Sequence, residues 1–202
     1  MRLYIALSSA GIMDSIDCAK RRIREIIAGS RVPEDPRHAE NTLKWLFRFE
    51  PKADSALQIA AFAHDIDRAV ETRKVRRADF NDYDAFKAAH ARNGAAILRA
   101  ILQKCGVNGS VTEEVCRLVG LHEVGGDPRS DLLKDADSIS YFEVNMPMYY
   151  QREGWEETSR RCSWGYRRLS GRVKKIAQRI TYEDEVLTRL LKEAIRQTCL
   201  KN

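Results

Sequence analysis

The chain has 202 residues, 44% hydrophobic and 32% charged. That is the balance of a globular chain long enough to bury a substantial core, and no apolar run approaches the roughly 20 residues needed to span a bilayer. The formal net charge of +6 is uneven: residues 151–180 carry nine Lys/Arg against three Asp/Glu, so the remainder is close to neutral and the positive balance belongs to that one segment.

Met1-Arg2 followed by Leu3-Tyr-Ile-Ala-Leu7 is too short and too weakly basic for a signal peptide. The cysteines at 18, 105, 116, 162 and 199 are odd in number, form no Cys-x-x-Cys and fall inside helical patterns. These features predict a cytoplasmic protein with five reduced thiols.

The first predicted helix runs from Met13 to Ala28, with Ile16, Ala19, Ile23 and Ile26/Ile27 on one side. Asp35 is the expected N-cap of a second helix, Pro36 to Phe49, which Glu50-Pro51 ends. A third helix is expected over 53–69, then a basic loop to Arg77 containing Arg73, Lys74 and Arg76. A long helix from Asp82 or Asp84 reaches Lys104 before Gly106 and Asn108-Gly109. Ser110 or Thr112 caps the next, which runs to His122; Gly125-Gly126-Asp127-Pro128 breaks the chain. A helix from Ser130 to Val144 follows, with Pro147 beyond it, then helices over 155–180 and from Tyr182 onward. With no convincing strand or repeat, the pattern predicts an all-α fold in a single domain over residues 1–202.

The stretch Ile59-Ala-Ala-Phe-Ala-His64-Asp65-Ile66-Asp67-Arg68 leaves no polar face, so it reads as a buried helix ending in an adjacent His-Asp pair. A buried carboxylate must be paired, hydrogen-bonded or bound to metal. The chain has four histidines. His38 shares a face with Thr42, Trp45 and Phe49; His90 with Phe86, Gly94, Ile97 and Ile101; His122 with Val115, Leu118 and Val119. Asp137 lies near Leu133, Tyr141 and Val144. A lone inward histidine is usually a satisfied core residue, but four with inward aspartates suit a divalent transition ion: Mn, Fe, Co, Ni or Zn.

The order His38, then His64-Asp65, then Asp137 resembles the HD-domain superfamily of metal-dependent phosphohydrolases, in the texts RHAENTLKWLF, AAFAHDIDR, AAHARNGAAILRAIL and LLKDADSIS. The resemblance covers about residues 13–145 and leaves helices over about 155–199 as an extension. It implies a helical bundle in which His38, His64, Asp65 and Asp137 ligate one divalent ion, with Asp135 the fallback for Asp137. It also implies that, where two ions bind, Asp65 bridges them and His90 and His122 serve the second; with one ion, those histidines are substrate groups. One ion and two both fit the sequence.

The implied reaction is hydrolysis of a phosphate ester of a small molecule or nucleotide by metal-activated water. Asp65, Asp67 and Arg68 are the expected catalytic groups, and Arg68, His90 and His122 the expected substrate contacts. Arg68 follows the doublet by a turn and its guanidinium suits phosphate; Asp67 orients a ligand or pairs with Arg68. The same six ligands also serve di-iron oxygenases of that fold. A third reading is a non-catalytic module that binds metal or, through 151–180 with Trp155, Trp164 and Tyr166, nucleic acid. A solvated helix face is the simpler reading of that basic segment. The terminal helix is free to close its own core or to pair between chains in an oligomer.

Overall fold

The computed structural model describes residues 9–200, and the Leu3–Leu7 run lies outside them. These residues are helical and contain no strand, as expected. No helix among them is long and apolar enough to cross a membrane.

Helix α1 spans Ser9–Ala28 and α2 Asp35–Phe49. Glu34, not Asp35, stands at the α2 N-cap; Asp35 instead accepts from the Ser30 hydroxyl at 2.6 Å and pairs with Arg68 at 2.8 Å. Asp54 caps α3, Ser55–Ala63, by accepting from the Leu57 amide. The expected single helix over 53–69 is in fact two, because the chain leaves the helical path at His64-Asp65 and restarts as α4, Ile66–Ala69. Asp65 has φ −96° and ψ 15°, in the bridge region.

Asp82 caps α5, Tyr83–Lys104, and Asn108, rather than the expected Ser110 or Thr112, caps α6, Gly109–Leu121. Asp127 and Ser130 form a capping box around Pro128 at the start of α7, Pro128–Ser140. The expected stop near Val144 does not occur. A wide π turn, Tyr141–Asn145, leads straight into α8, Met146–Arg168. The residue five on from Phe142 is Pro147, which has no N–H to give; the Tyr182 hydroxyl donates to the Phe142 carbonyl at 2.6 Å instead. Gly154, with φ 76°, kinks α8. The expected helix over 155–180 is split between α8 and α9, Gly171–Ala177, because the chain turns extended at Leu169 (φ −67°, ψ 142°) and Ser170, and α10 covers Glu185–Leu200.

Helix α2 packs on α3 and α7, α3 on α6, α5 on α4 and α6, and α10 on α8. Ile23, Leu46, Ile59, Ile66, Leu98, Leu118, Leu133 and Ile139 fill the interior between them. Gly94 lets α5 close on the helix break: a Cβ there would lie 3.3 Å from the His64 carbonyl and 3.5 Å from Val119.

The expectation of five free thiols is overturned. Cys18 of α1 and Cys105 after α5 form a disulfide across 87 residues of chain, while Cys116, Cys162 and Cys199 are free. Spacing along the chain carried no sign of this pairing, which needs two cysteines from distant turns of sequence to meet with their Cα atoms 5.8 Å apart. Thiol titration of denatured, unreduced protein should count three, rising to five after reduction; five without reduction would refute the bond. Tyr182→Phe should cost about 1–3 kcal/mol in denaturant unfolding, since it orphans a buried carbonyl; an unchanged midpoint would mean another donor replaces the hydroxyl.

Candidate metal centre

The break between α3 and α4 decides the site. On a continuous helix, adjacent residues point roughly 100° apart. The non-helical Asp65 instead brings its carboxylate beside the His64 ring, 3.7 Å from Nε2. His38 of α2 faces the same point: its Nε2 lies 3.1 Å from His64 Nε2 and 3.8 Å from Asp65 Oδ2. Asp137 of α7 closes the set, with Oδ1 3.2 Å from His38 Nε2 and 3.3 Å from His64 Nε2. Asp135 faces elsewhere and accepts from the Ser170 amide.

The other oxygen of Asp65 faces a second pair. His90 of α5 places Nε2 2.9 Å from Asp65 Oδ1, and His122, at the end of α6, places Nε2 4.0 Å from it. Glu123 adds a carboxylate 3.1 Å from His122 Nε2. Among the described residues, three groups of ligand atoms thus lie close enough together to hold an ion: His38, His64 and Asp65; Asp65, His90 and His122; and His122, Glu123 and Asp137.

All four imidazoles are tethered at Nδ1. His64 Nδ1 donates to the Ala61 carbonyl at 3.0 Å and His122 Nδ1 to the Val119 carbonyl at 2.7 Å. His90 Nδ1 donates to Asp67 at 2.9 Å. Ser140 gives its own proton to the His38 carbonyl, so its oxygen accepts from His38 Nδ1 at 3.0 Å. Each neutral ring therefore carries its hydrogen at Nδ1 and turns an Nε2 lone pair inward, the usual way of orienting a metal-binding histidine. His122 Nε2 is buried without a hydrogen-bond partner. Lone pairs of His38 and His64 facing each other and a carboxylate repel unless a cation sits among them. The donor set, imidazole nitrogen with carboxylate oxygen, fits a divalent transition ion.

Protons fill part of that role when no metal is there. Burial disfavours charge on His64, but Asp65 and Asp137 outweigh it and push its pKa up to about 9. Burial likewise opposes ionisation of Asp65, yet His64, Arg68 and His90 hold its carboxyl well below the usual range. Asp137 is held low against its burial by His64, His38 and Arg168. His90 is raised despite burial by its contacts with Asp65 and Asp67.

Asp67 is buried and fully used. It receives His90 Nδ1, the Val75 amide at 3.3 Å and the Asn93 side chain. Its place is to orient His90 and tie down the loop after α4, and it does not pair with Arg68. Arg68 spans Asp35 at 2.8 Å and Asp65 at 2.9 Å, so both terminal nitrogens are engaged by carboxylates. Arg73, Arg76 and Arg77 are exposed.

Sequence reasoning missed Glu123, Lys87, Asp35 and the inward role of Arg168. Glu123 is buried against Lys87 and Arg168, which with His122 keep its carboxyl ionised against burial. Arg168 also reaches Asp137 at 3.5 Å and the His122 carbonyl at 3.0 Å. The available signal was His122-Glu123, a second adjacent His-acid pair like His64-Asp65. The segment 151–180 divides: Arg161 and Arg168 turn inward, while Arg160, Arg167, Arg172, Lys175 and Arg179 are exposed.

The chain belongs to the family described as Domain of unknown function (DUF4202), which matches residues 12–190. No curated protein and no solved structure matches it. The family span takes in every residue of the cluster and extends through α8 and α9 into α10.

Asp67→Asn keeps the side-chain size but removes the charge on which His90 rests. It should weaken metal binding about 10- to 100-fold in competition with a chromogenic chelator while circular dichroism stays unchanged. Unchanged affinity would leave Asp67 only the role of fastening the loop.

Proposed function

We propose that this protein is a metal-dependent phosphohydrolase of the HD-domain type, acting on a phosphate ester of a small molecule or nucleotide. The observation that carries the reading is the divided carboxylate of Asp65: Oδ2 faces His38 and His64, and Oδ1 faces His90 and His122. Two ions would be held here, one by His38, His64 and Asp137 and the other by His90 and His122, with Asp65 available to both.

A bound divalent ion supplies Lewis acidity toward a phosphoryl oxygen and makes water a nucleophile at neutral pH. The chain's own groups do the rest. The Nδ1 tethers fix the imidazoles, and Asp67 holds His90 in line. Glu123, kept ionised by Lys87 and Arg168, holds a fixed negative charge beside His122. Arg68 anchors Asp65 and Asp35 and, its side chain about a third exposed, is the cation we assign to an incoming phosphate.

The same six residues serve a second reading, a di-iron oxygenase, because both chemistries use a shared carboxylate between two histidine pairs. Metal analysis of protein purified without chelator, with assays on a phosphate-ester panel in Mn, Fe, Co, Ni, Zn and Mg, separates them. Ester hydrolysis without oxygen supports the first; coupled-iron spectra and oxygen uptake without hydrolysis support the second.

His64→Ala and Asp65→Ala should lose metal and hydrolysis together while remaining folded; stoichiometric metal in either variant would overturn the assignment. The His90→Ala/His122→Ala double variant should hold half the metal of the parent. A ratio equal to the parent's would leave one ion and assign these histidines to substrate.

A further inference from the structure

Five arginines are half-buried among the described residues: Arg68, Arg99, Arg129, Arg161 and Arg168. Four of them sit on carboxylates. Arg68 meets Asp35 and Asp65, Arg99 meets Glu113, Arg129 meets Asp54 and Glu114, and Arg168 meets Glu123 and Asp137. Arg161 has no hydrogen bond and no ion pair with any described residue; its partners are aromatic rings. Its Cζ lies 4.4 Å from the Trp164 ring centroid, 4.6 Å from Tyr141 and 6.0 Å from Tyr83. Stacking of this kind holds a guanidinium in place and uses none of its five N–H donors. A cation removed from water ordinarily takes a carboxylate, so an arginine packed this way without one has its hydrogen-bonding edge to offer.

That edge has somewhere to point. Arg161 lines an open depression of about 560 Å³ with Tyr83, Trp164, Arg77, Arg160 and Arg167, and one carboxylate, Glu157, also lines it. Arg160 is occupied by Glu157, and Arg167 is exposed. Trp164 also carries the Arg168 guanidinium at 4.3 Å, and Lys87 lies 6.0 Å from the same ring. Arg168 and Lys87 are the cations that hold Glu123 and Asp137 in the cluster. The indole therefore stands between the depression and the metal centre. Arg161 and Arg168 are about two turns apart on α8 and share the Trp164 ring, their Cζ atoms 4.4 Å and 4.3 Å from its centroid.

We propose that this depression is a second anion-binding site, in which Arg161 takes an anionic oxygen group of the substrate remote from the phosphate that reacts at the His/Asp cluster. The inference rests on the function proposed above and narrows its substrate class: a small molecule with two anionic groups at opposite ends. Its middle portion would lie against Trp164 and Tyr83. A guanidinium fork matches phosphate and carboxylate alike, so either group serves at the remote end.

The test is calorimetric titration of the full chain as purified, with inorganic phosphate and separately with acetate, beside metal analysis of the same samples. The parent should bind at least one of these anions, and the one it binds names the remote group. Arg161→Gln should weaken that event at least tenfold with metal content unchanged. Arg161→Lys keeps the charge without the fork and should weaken it at least threefold; it decides the matter if the Gln variant does not fold. Binding of neither anion by the parent, or equal affinities for parent and both variants, overturns the proposal. Arg161-dependent binding in a parent that carries no metal would sink the phosphohydrolase reading and leave this site standing. Stoichiometric metal with anion binding indifferent to Arg161 would do the reverse.

Discussion

The structure is arranged around an excess of negative charge that cannot stay buried alone. Asp35, Asp67, Asp137 and Glu123 are buried and Asp65 nearly so. Isolated carboxylates at that depth would protonate rather than ionise. Fixed cations meet the outer ones: Arg68 sits on Asp35 and Asp65, Lys87 and Arg168 on Glu123, and Arg168 on Asp137. Oδ1 of Asp65 and of Asp137 are left to imidazoles whose Nδ1 hydrogens are committed elsewhere, and Oδ2 of Asp65 is shared between Arg68 and the pair His38 and His64. A cation inside this ring, proton or metal, is the condition under which its lone pairs can face one another.

That demand explains local features that would otherwise look like flaws in helical regularity. The interruption at His64-Asp65 turns two adjacent side chains toward one point. Gly94 lets α5 approach closely enough to bring His90 against Asp65 and Asp67. The loop after α4 is held by Asp67 through the Val75 amide and by Asn93 through the Arg73 carbonyl. The chain's departures from ideal helix thus serve the placement of charged groups.

The C-terminal helices belong to the same electrostatic system. Helix α8 contributes Arg168 to the acidic cluster and Arg161 to an aromatic cage beside it, with Trp164 in contact with both. The positive balance of residues 151–180 is therefore not one surface. Its exposed members face solvent, and its two inward arginines have different partners, carboxylates for one and rings for the other.

Composition and periodicity were enough to read an all-helical chain, because amphipathic stripes and Pro/Gly breaks act within a few residues. The inward direction of His38, His90, His122 and Asp137 was legible for the same reason: each shares a stripe with apolar neighbours on its own helix. The choice of Asp137 over Asp135 came from the resemblance, and the fold places Asp137 beside the histidines. What the sequence could not carry were relations between distant segments. The break inside the His-Asp helix, the continuation through Pro147, the Cys18–Cys105 bond and the burial of Glu123 between Lys87 and Arg168 all depend on which surfaces meet. Helix periodicity is a local property, set by hydrogen bonds four residues apart. The pairing of charges and the division of one carboxylate between two histidine pairs are set by the packing of α2, α3, α5, α6 and α7 around a shared interior, and only the tertiary structure decided them.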